Sequence, residues 1–172
     1  QEVTESRAGG PNTSRLVGVD LPVMPPVRPM LAKPVASVAA TAKHGPVLFE
    51  PKWDGFRCLV FKDGEEVELA SRNTKPLTRY FPEVVAAARE QLPARCVLDG
   101  ELFVALGEPG RQRLEFEVLQ ERIHPAKSRV DLLAEETPAG FVAFDVLALD
   151  DTDLMQRPLR ERRTAMEAAL TD

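Results

Sequence analysis

The sequence predicts an α+β fold in which antiparallel β-sheets are flanked by helices. Segments with strand-like and helix-like patterns are interspersed along the 172 residues. Neighbouring strands are joined by short glycine turns rather than by regular helical crossovers, which favours antiparallel pairing over a doubly wound parallel sheet. Hydrophobic residues make up 44% of the chain, enough for an ordinary core. No apolar run approaches membrane-spanning length, so we expect no membrane partner.

The charge distribution argues against a protein that coats nucleic acid along its whole surface. The net charge is −5. Residues 1–46 carry five Lys/Arg and three Asp/Glu, and residues 47–172 carry 17 and 24. Contact with DNA or RNA would therefore need local basic groups or a part of the protein outside this sequence.

The N-terminal region divides into two parts. Residues 1–20 are polar, include Gly-Gly-Pro and lack periodicity, and we expect a disordered leader there. The next segment, LPVMPPVRPMLAKP at residues 21–34, is too rich in proline for a helix. We expect it to form an extended arm packed on the surface of the domain.

The remaining elements follow from apolar spacing and turn residues. Period-two patterns and flanking turns predict strands at residues 47–52, 56–62, 66–71, 95–106 and 140–149, with Asp54-Gly55 and Asp63-Gly64 turning the first two connections. Helical spacing predicts helices at residues 76–92, 114–123, 128–135 and 158–170. Cys58 and Cys96 lie in apolar strands without CxxC partners, and we expect reduced core thiols of a cytosolic protein.

The octapeptide EPKWDGFR at residues 50–57 is the most informative segment. It places Lys52 near a carboxylate at Asp54, followed by a glycine turn and Arg57. A lysine can act as a nucleophile only when its amine is neutral and close to an electrophile, and a nearby acid, a metal ion or partial burial can provide this. Taken alone, the same pattern could be the start of a polar hairpin.

Further polar groups follow in order along the chain. Arg72 lies in Ser-Arg-Asn, where a predicted strand ends, and suits either a phosphate clamp or a solvated turn. Asp99 and Glu101 would share one strand face while Leu98 and Leu102 share the other. Because apolar residues surround the two acids, we favour a functional site over a salt-bridged surface strand.

The strand at residues 140–149 contains Phe144 and Asp145. Adjacent strand residues point to opposite faces, so the ring could line an aromatic slot or simply pack in the core. A lone acid in such a strand is costly unless it is paired. His44 and His124 are assigned no catalytic role.

Taken in order, KWDGFR, SRN, LDGEL and FVAFDVL resemble motifs I, Ia, III and IIIa of the covalent nucleotidyltransferases. This superfamily comprises ATP-dependent DNA ligases, RNA ligases and mRNA capping enzymes. The flanks LPVMPPVRPMLAKPV, TRYFPEVV and LQERIHPAKSRV resemble bacterial ligase C, which is related to the ligase domain of end-joining ligase D. The resemblance implies a partial adenylation domain over residues 21–172, the N-terminal part of an ATP-grasp-like nucleotidyltransferase fold.

The resemblance also implies a role for each matching residue. Lys52 would become the AMP-carrying phosphoramide, and Glu50 would accept a hydrogen bond from the adenine amino group. Phe144 would stack on the base. Arg57 and Glu101 would hold the ribose and nearby phosphate, with Glu101 also a metal ligand. Other implied contacts are those of Arg72 with phosphate and of Asp54 in support of Lys52.

The implied function is that of a bacterial, cytosolic ATP-dependent DNA ligase using Mg²⁺ or Mn²⁺. Its substrate would be nicked or broken duplex DNA in repair, replication or recombination, with end-joining proteins as further partners. The sequence departs from the family after residue 150, because it shows no motif IV, motif V or OB-fold domain. We therefore expect weak or no sealing by this portion alone. An RNA ligase or capping activity, or a non-catalytic nucleotide- or partner-binding remnant, remains open.

Overall fold

The computed structural model describes residues 18–170, apart from the side chains of Ala42 and His44. In chain order the elements are β1 (Phe56–Asp63), β2 (Glu66–Ser71), α1 (Pro82–Gln91), β3 (Arg95–Leu106), β4 (Arg113–Leu114), α2 (Phe116–Gln120), α3 (Lys127–Glu136), β5 (Ala139–Leu149), β6 (Thr152–Asp153) and α4 (Leu159–Leu170). Two 3₁₀ helices occur at Val38–His44 and Thr78–Tyr80. Residues 1–17, which include most of the predicted leader, lie outside the described residues.

The strands form one antiparallel sheet in the order β2-β1-β3-β5-β6, and β4 pairs with the far end of β3. The β1–β2 connection is the predicted hairpin, in which Asp63 pairs with Glu66 around Gly64. Gly64 has φ 61°, a left-handed conformation that glycine adopts without strain. The predicted α+β class with antiparallel strands and flanking helices is confirmed.

Most predicted elements are present with shifted ends, but the strand at residues 47–52 was a wrong prediction. Residues 46–54 form neither helix nor strand, and Val47, Leu48 and Phe49 are exposed. A strand needs a hydrogen-bonded neighbour, and the described chain provides none for this segment. The expected hairpin around Asp54-Gly55 is therefore absent as well. The predicted helices at 76–92 and 114–123 shorten to α1 and α2, each preceded by other structure.

The two faces of the sheet are covered differently. One face, which includes Leu98 and Leu102 as predicted, packs against the helices in a cluster that contains Phe81 and Met166. The opposite face is covered by the arm: Val19, Leu21 and Val23 pack against residues of β1, β2, β3 and β5 (Leu59, Phe61, Ala70, Val97, Leu147 and Ala148). The predicted surface arm is confirmed, and its packed part begins at Val19, within the segment predicted as leader.

Buried polar side chains anchor the helices to the sheet. Lys62 is 4% exposed and its Nζ donates to the carbonyl oxygens of Arg89 and Leu92, 2.7 Å each, at the end of α1. The fully buried Arg122 donates to both carboxylate oxygens of Glu83 at the start of α1. These bonds satisfy groups that would otherwise be costly to bury.

Cys58 and Cys96 are buried and unpaired to each other, as predicted. Burial raises the pKa of the Cys96 thiol to about 11, so it is protonated at neutral pH and unreactive. Among residues 18–170, no helix has the length and apolarity needed to cross a membrane.

Candidate active site

A buried ion pair lies on the arm-covered face of the sheet, where the face changes from apolar to charged. Along β1, Arg57 precedes Leu59 by two residues; along β3, Asp99 follows Val97 by two, so both charged residues continue the apolar rows. Arg57 Nε donates to Asp99 Oδ1 at 2.5 Å, and Nη2 donates to Oδ2 at 2.7 Å. Asp99 is only 3% exposed. This bidentate geometry is the arrangement in which a buried pair is best compensated.

The pKa directions follow from this geometry. The hydrogen bond to Asp99 raises the pKa of Arg57, which keeps the guanidinium charged. Burial raises the pKa of the Asp99 carboxyl, and the hydrogen bond and charge of Arg57 oppose that shift. The two hydrogen bonds therefore hold Arg57 in a single orientation.

Phe144 is half-buried beside this pair, and the Arg57 guanidinium carbon lies 4.5 Å from its ring centroid. Asp145 lines the same cavity as Phe144, although adjacent residues of a regular strand point to opposite faces. The pairing of β3 with β5 is irregular here, with a register shift between Asp99 and Gly100. The strict alternation expected for Phe144 and Asp145 was therefore wrong at this point.

Asp145 has the partner that a buried acid requires. Its two carboxylate oxygens accept from Nε and Nη2 of Arg162 on α4, at 2.8 Å each. Arg162 also donates to the carbonyl oxygen of Arg157 at 2.5 Å. This pair attaches α4 to the end of the sheet that carries Phe144.

These groups surround an open cavity of about 490 Å³, a volume in the range of small-molecule sites. The arm contributes residues 27–32, and the sheet contributes Arg57, Asp99, Phe144, Asp145 and Leu147. Glu50, Met155, Leu159 and Arg162 complete the lining. The cavity combines an aromatic ring, aliphatic walls and several convergent charges, as expected for a polar ligand with a flat apolar part.

Of the predicted site residues, Glu50, Arg57 and Phe144 line this cavity. Glu50 Oε1 accepts from Nη1 of Arg163 at 2.7 Å. These three predicted residues are far apart in the sequence, and the fold brings them together at one cavity.

Lys52 and Glu101 are not among the residues that line the cavity, although Glu101 pairs directly with the lining residue Arg57 across neighbouring strands. Glu101 is half-buried, and burial raises its pKa, an effect opposed first by Arg57 and then by Lys52. The side chain of Lys52 is exposed, so the partial burial considered as a means of activating it is absent here. Its positive charge lies within electrostatic range of Glu101 and lowers the pKa of that carboxyl.

Gly55 allows the chain that follows Lys52 to lie directly against Leu102 and Glu101 of β3. A Cβ at this position would overlap the carbonyl oxygen of Leu102 and lie 3.1 Å from Cγ of Glu101. Only glycine allows the chain to approach β3 so closely. Trp53 stacks on Phe103 of β3, with ring centroids 5.2 Å apart, and holds the same segment.

Arg72 lies in the exposed turn after β2, apart from the residues that line the cavity. The turn is closed by a hydrogen bond from the Ser71 amide to the Lys75 carbonyl oxygen at 2.8 Å. His124 is exposed, and its Nδ1 accepts from the Ala126 amide at 3.1 Å, a local turn contact. The His44 side chain is outside the described part of the molecule.

Among residues 18–170, no group of three or more His, Cys, Asp or Glu side chains could by itself hold a metal ion. Glu101 has Asp54 within electrostatic range. Magnesium is commonly bound by one or two carboxylates together with water and substrate phosphates. Glu101 thus fits a metal that would take most of its ligands from a bound phosphate group.

The sequence reasoning missed Arg162 and Arg163 as site residues, and it noted Asp99 without identifying its partner. A usable signal was present: Arg162 lies four residues before Met166, on the helix face that is buried. An arginine in such a row requires a buried acid, and Asp145 was the unpaired acid of the preceding strand.

A family model described as ATP dependent DNA ligase domain matches residues 29–172. The chain belongs to this family. The resemblance drawn from the ordered motifs is confirmed by this match, which covers the segment that carries all of them. The cavity residues 50, 57 and 144 all lie within the matched region.

Similar proteins narrow the resemblance further. DNA ligase C of Mycobacterium tuberculosis is 56% identical over 153 residues, 89% of this chain and 40% of that protein. DNA ligase C2 of Mycolicibacterium smegmatis is 56% identical over 154 residues, 90% of this chain and 41% of that protein. The chain therefore spans about two fifths of the length of these relatives. A solved structure of mycobacterial DNA ligase D complexed with ATP and MES is 35% identical, with a TM-score of 0.55, over 69% of this chain and 35% of that one.

Proposed function

We propose that this chain is the nucleotide-binding portion of an ATP-dependent DNA ligase, in which Lys52 receives AMP from ATP. The observation that carries the proposal is the assembly of Glu50, Arg57 and Phe144 around one cavity. Glu101 pairs with Arg57 across neighbouring strands, and Lys52 lies within electrostatic range of Glu101. These residues match the family motifs in order. The family match and the ATP complex of the similar ligase D support the choice of nucleotide.

The proposed first step forms one bond and breaks one. Lys52 Nζ, after losing a proton, attacks the α-phosphorus of ATP; a P–N bond forms, the bond to the β-phosphate oxygen breaks, and pyrophosphate leaves. Arg57, held by Asp99, would lie against the ribose and phosphate, and Phe144 would stack on the base. A divalent ion, when bound, would neutralise phosphate charge as the amine approaches. In this proposal Glu101 would hold it, together with substrate phosphates.

In the later steps, an oxygen of a DNA 5′-phosphate attacks the same phosphorus and Lys52 is released with its proton restored. The 3′-hydroxyl of the adjoining strand then attacks the activated 5′-phosphate, and AMP leaves. Covalent storage in this way divides one difficult condensation into separate displacements. The net charge of −5 supports the proposal that DNA binding by the ligase involves further parts of the protein.

The test is incubation with α-labelled ATP and a divalent metal, followed by denaturing electrophoresis. We expect weak labelling that is lost in Lys52→Ala and kept in Lys127→Ala, a variant at an exposed lysine of α3 paired with Asp131. Label that persists in Lys52→Ala would overturn the nucleophile assignment. We also expect little sealing of nicked DNA by these 172 residues alone, which a gel assay on a nicked duplex measures.

We infer further that nicked or broken duplex DNA is the substrate, that end-joining repair proteins are partners, and that the protein acts in the bacterial cytosol. The names of the relatives, which are DNA ligases, support a DNA substrate over RNA or cap synthesis. The two buried, unbridged cysteines are compatible with a reducing compartment. A competition between nicked DNA and nicked RNA, with ATP or GTP, tests the substrate assignment.

Two observations favour a second candidate, nucleotide or partner binding without transfer. Lys52 is exposed, and no grouping of described side chains completes a metal site. Calorimetry with ATP distinguishes the possibilities: binding without labelling supports the second candidate, whereas binding with labelling at Lys52 supports the first.

A further inference from the structure

Glu50 lies on a segment that has little structure of its own. Residues 46–54 form no helix or strand, and Glu50 is exposed although it lines the cavity. Downstream, Trp53 and Gly55 fix the chain to β3. The hydrogen bond that Glu50 makes with the described chain is to Arg163 on α4, so the position of this carboxylate depends on that helix.

Arg163 is well placed to fix a carboxylate. The preceding residue, Arg162, attaches α4 to β5 through its bidentate contact with Asp145. On the next residue, Nη1 of Arg163 donates to Glu50 at 2.7 Å, while Nε donates to Glu167 at 2.7 Å, one turn further along α4. The guanidinium is therefore held from two sides, and its planar fork is oriented before any ligand binds.

We propose that Arg163 is a positioning residue for base recognition, which holds the Glu50 carboxylate at the cavity edge and thereby sets the preference for adenine over guanine. This inference rests on the proposed function. A carboxylate only accepts hydrogen bonds, and with Oε1 bound to Arg163 its other oxygen remains available. Adenine presents an amino donor at the position where guanine presents a carbonyl acceptor, so a fixed carboxylate attracts one base and repels the other.

Arg163 also has a second effect in this arrangement. A guanidinium facing the cavity could donate a hydrogen bond to the guanine carbonyl and so stabilise bound guanine. The bonds to Glu50 and Glu167 engage two of its donor groups. The ion pair therefore supplies an acceptor to the cavity and leaves fewer of the five N–H donors of Arg163 for a guanine carbonyl.

The experiment is calorimetric titration of the 172-residue protein with ATP and with GTP, in the presence of Mg²⁺. The variants are Arg163→Ala, Arg163→Lys, Glu50→Ala and the double variant Glu50→Ala/Arg163→Ala. Arg160→Ala is the matched control, because it removes an exposed arginine from the same helix. Circular dichroism melting shows which variants remain folded.

We expect Arg163→Ala to weaken ATP binding about tenfold, the order of one charge-assisted hydrogen bond, and to leave GTP binding nearly unchanged. The ratio of ATP to GTP affinity should therefore narrow. The Arg163→Lys variant should have an ATP-to-GTP affinity ratio between those of Arg163→Ala and the wild type. The Arg160→Ala variant should have the wild-type ratio. Since Arg163 acts through Glu50, the double variant should bind ATP as tightly as Glu50→Ala does.

Three results would overturn the inference while leaving the proposed function intact: an unchanged ATP-to-GTP ratio in Arg163→Ala, additive losses in the double variant, or a wild-type protein that binds both nucleotides equally. Failure of the wild-type protein to bind either nucleotide is a different outcome. It would overturn the proposed function, and the inference with it. If Arg163→Ala unfolds, the test uses the folded Arg163→Lys variant. An ATP-to-GTP affinity ratio below that of Arg160→Ala would support the inference, and an equal ratio would overturn it.

Discussion

The Arg57 guanidinium carbon lies 4.5 Å from the centroid of the Phe144 ring, while both carboxylate oxygens of Asp99 hold the same guanidinium. A cation over a ring face is an attractive contact. Before a nucleotide binds, the ring proposed to stack on adenine is therefore covered by the arginine proposed to contact ribose and phosphate. A base must use the other ring face or shift Arg57 relative to Phe144.

Replacing Phe144 with leucine should weaken ATP binding about tenfold, because stacking of a base on an aromatic ring contributes about 1–3 kcal/mol. Calorimetry at neutral pH measures this. Phe116→Leu also removes a ring, from an edge contact with Phe56 in the core. This control should lower the melting temperature without a matching loss of ATP affinity. Full ATP affinity in a folded Phe144→Leu protein would show that the base lies elsewhere.

The Glu101 carboxyl predicts a specific pH dependence of stability. Burial raises its pKa above the ordinary 4.5, so the folded protein binds this proton more tightly than the unfolded chain. The resulting stabilisation is fully present below about pH 4.5 and is lost as the pH rises through the folded-state pKa. Glu101→Gln should therefore melt at a higher temperature than the wild type at pH 7, with the difference shrinking towards pH 4. A difference that does not vary with pH would contradict this.

Substitution of Gly55 with alanine should separate the Lys52 segment from β3. The added Cβ would overlap a backbone oxygen, that of Leu102, which cannot be relieved by rotating a side chain. We expect loss of labelling by α-labelled ATP with most of the fold retained. The control is Gly64→Ala, where a Cβ meets open space but φ is 61°. It should cost about 1–2 kcal/mol of stability and leave labelling unchanged.

Removal of Arg122 should be among the most destabilising single changes on the helical side. The side chain is 0% exposed, donates to both oxygens of Glu83 and to the Tyr80 carbonyl oxygen, and lies over the Phe81 ring. Arg122→Ala would leave Glu83 without its buried partner, at a cost of about 3–5 kcal/mol in the free energy of unfolding.

Arg129→Ala is the matched control for Arg122→Ala, since the Arg129–Glu121 pair is exposed on both sides. We expect a cost of about 0–1 kcal/mol. Urea unfolding of both variants measures the difference. Equal effects at positions 122 and 129 would show that burial of the first pair has no energetic consequence.

The elements that the sequence predicted well are those whose stability is local or whose partners adjoin them. β2 and β3 have the predicted bounds because alternation and turn glycines specify them. The segment at residues 47–52 has the same alternation but no neighbouring strand, and pattern alone cannot reveal a missing partner. The register shift beside Gly100 likewise arises from pairing with β5, so it could not be read from either strand alone.

The candidate site shows the same division. Glu50, Arg57 and Phe144 were identifiable because ordered motifs specify them. The contacts that orient them were not, because they join residues far apart in the chain: Arg163 is 113 positions from Glu50. A charge pair between distant segments leaves no periodic trace in the sequence.

The arm that begins at Val19 serves two purposes with one stretch of chain. Its first aliphatic residues seal the sheet, and residues 27–32 form a side of the cavity. Proteolytic cleavage between these two parts should consequently lower both the ligand affinity and the melting temperature. Conversely, a bound ligand that touches residues 27–32 should shield the intervening peptide bonds from a protease, which gives a simple readout of occupancy that needs no label.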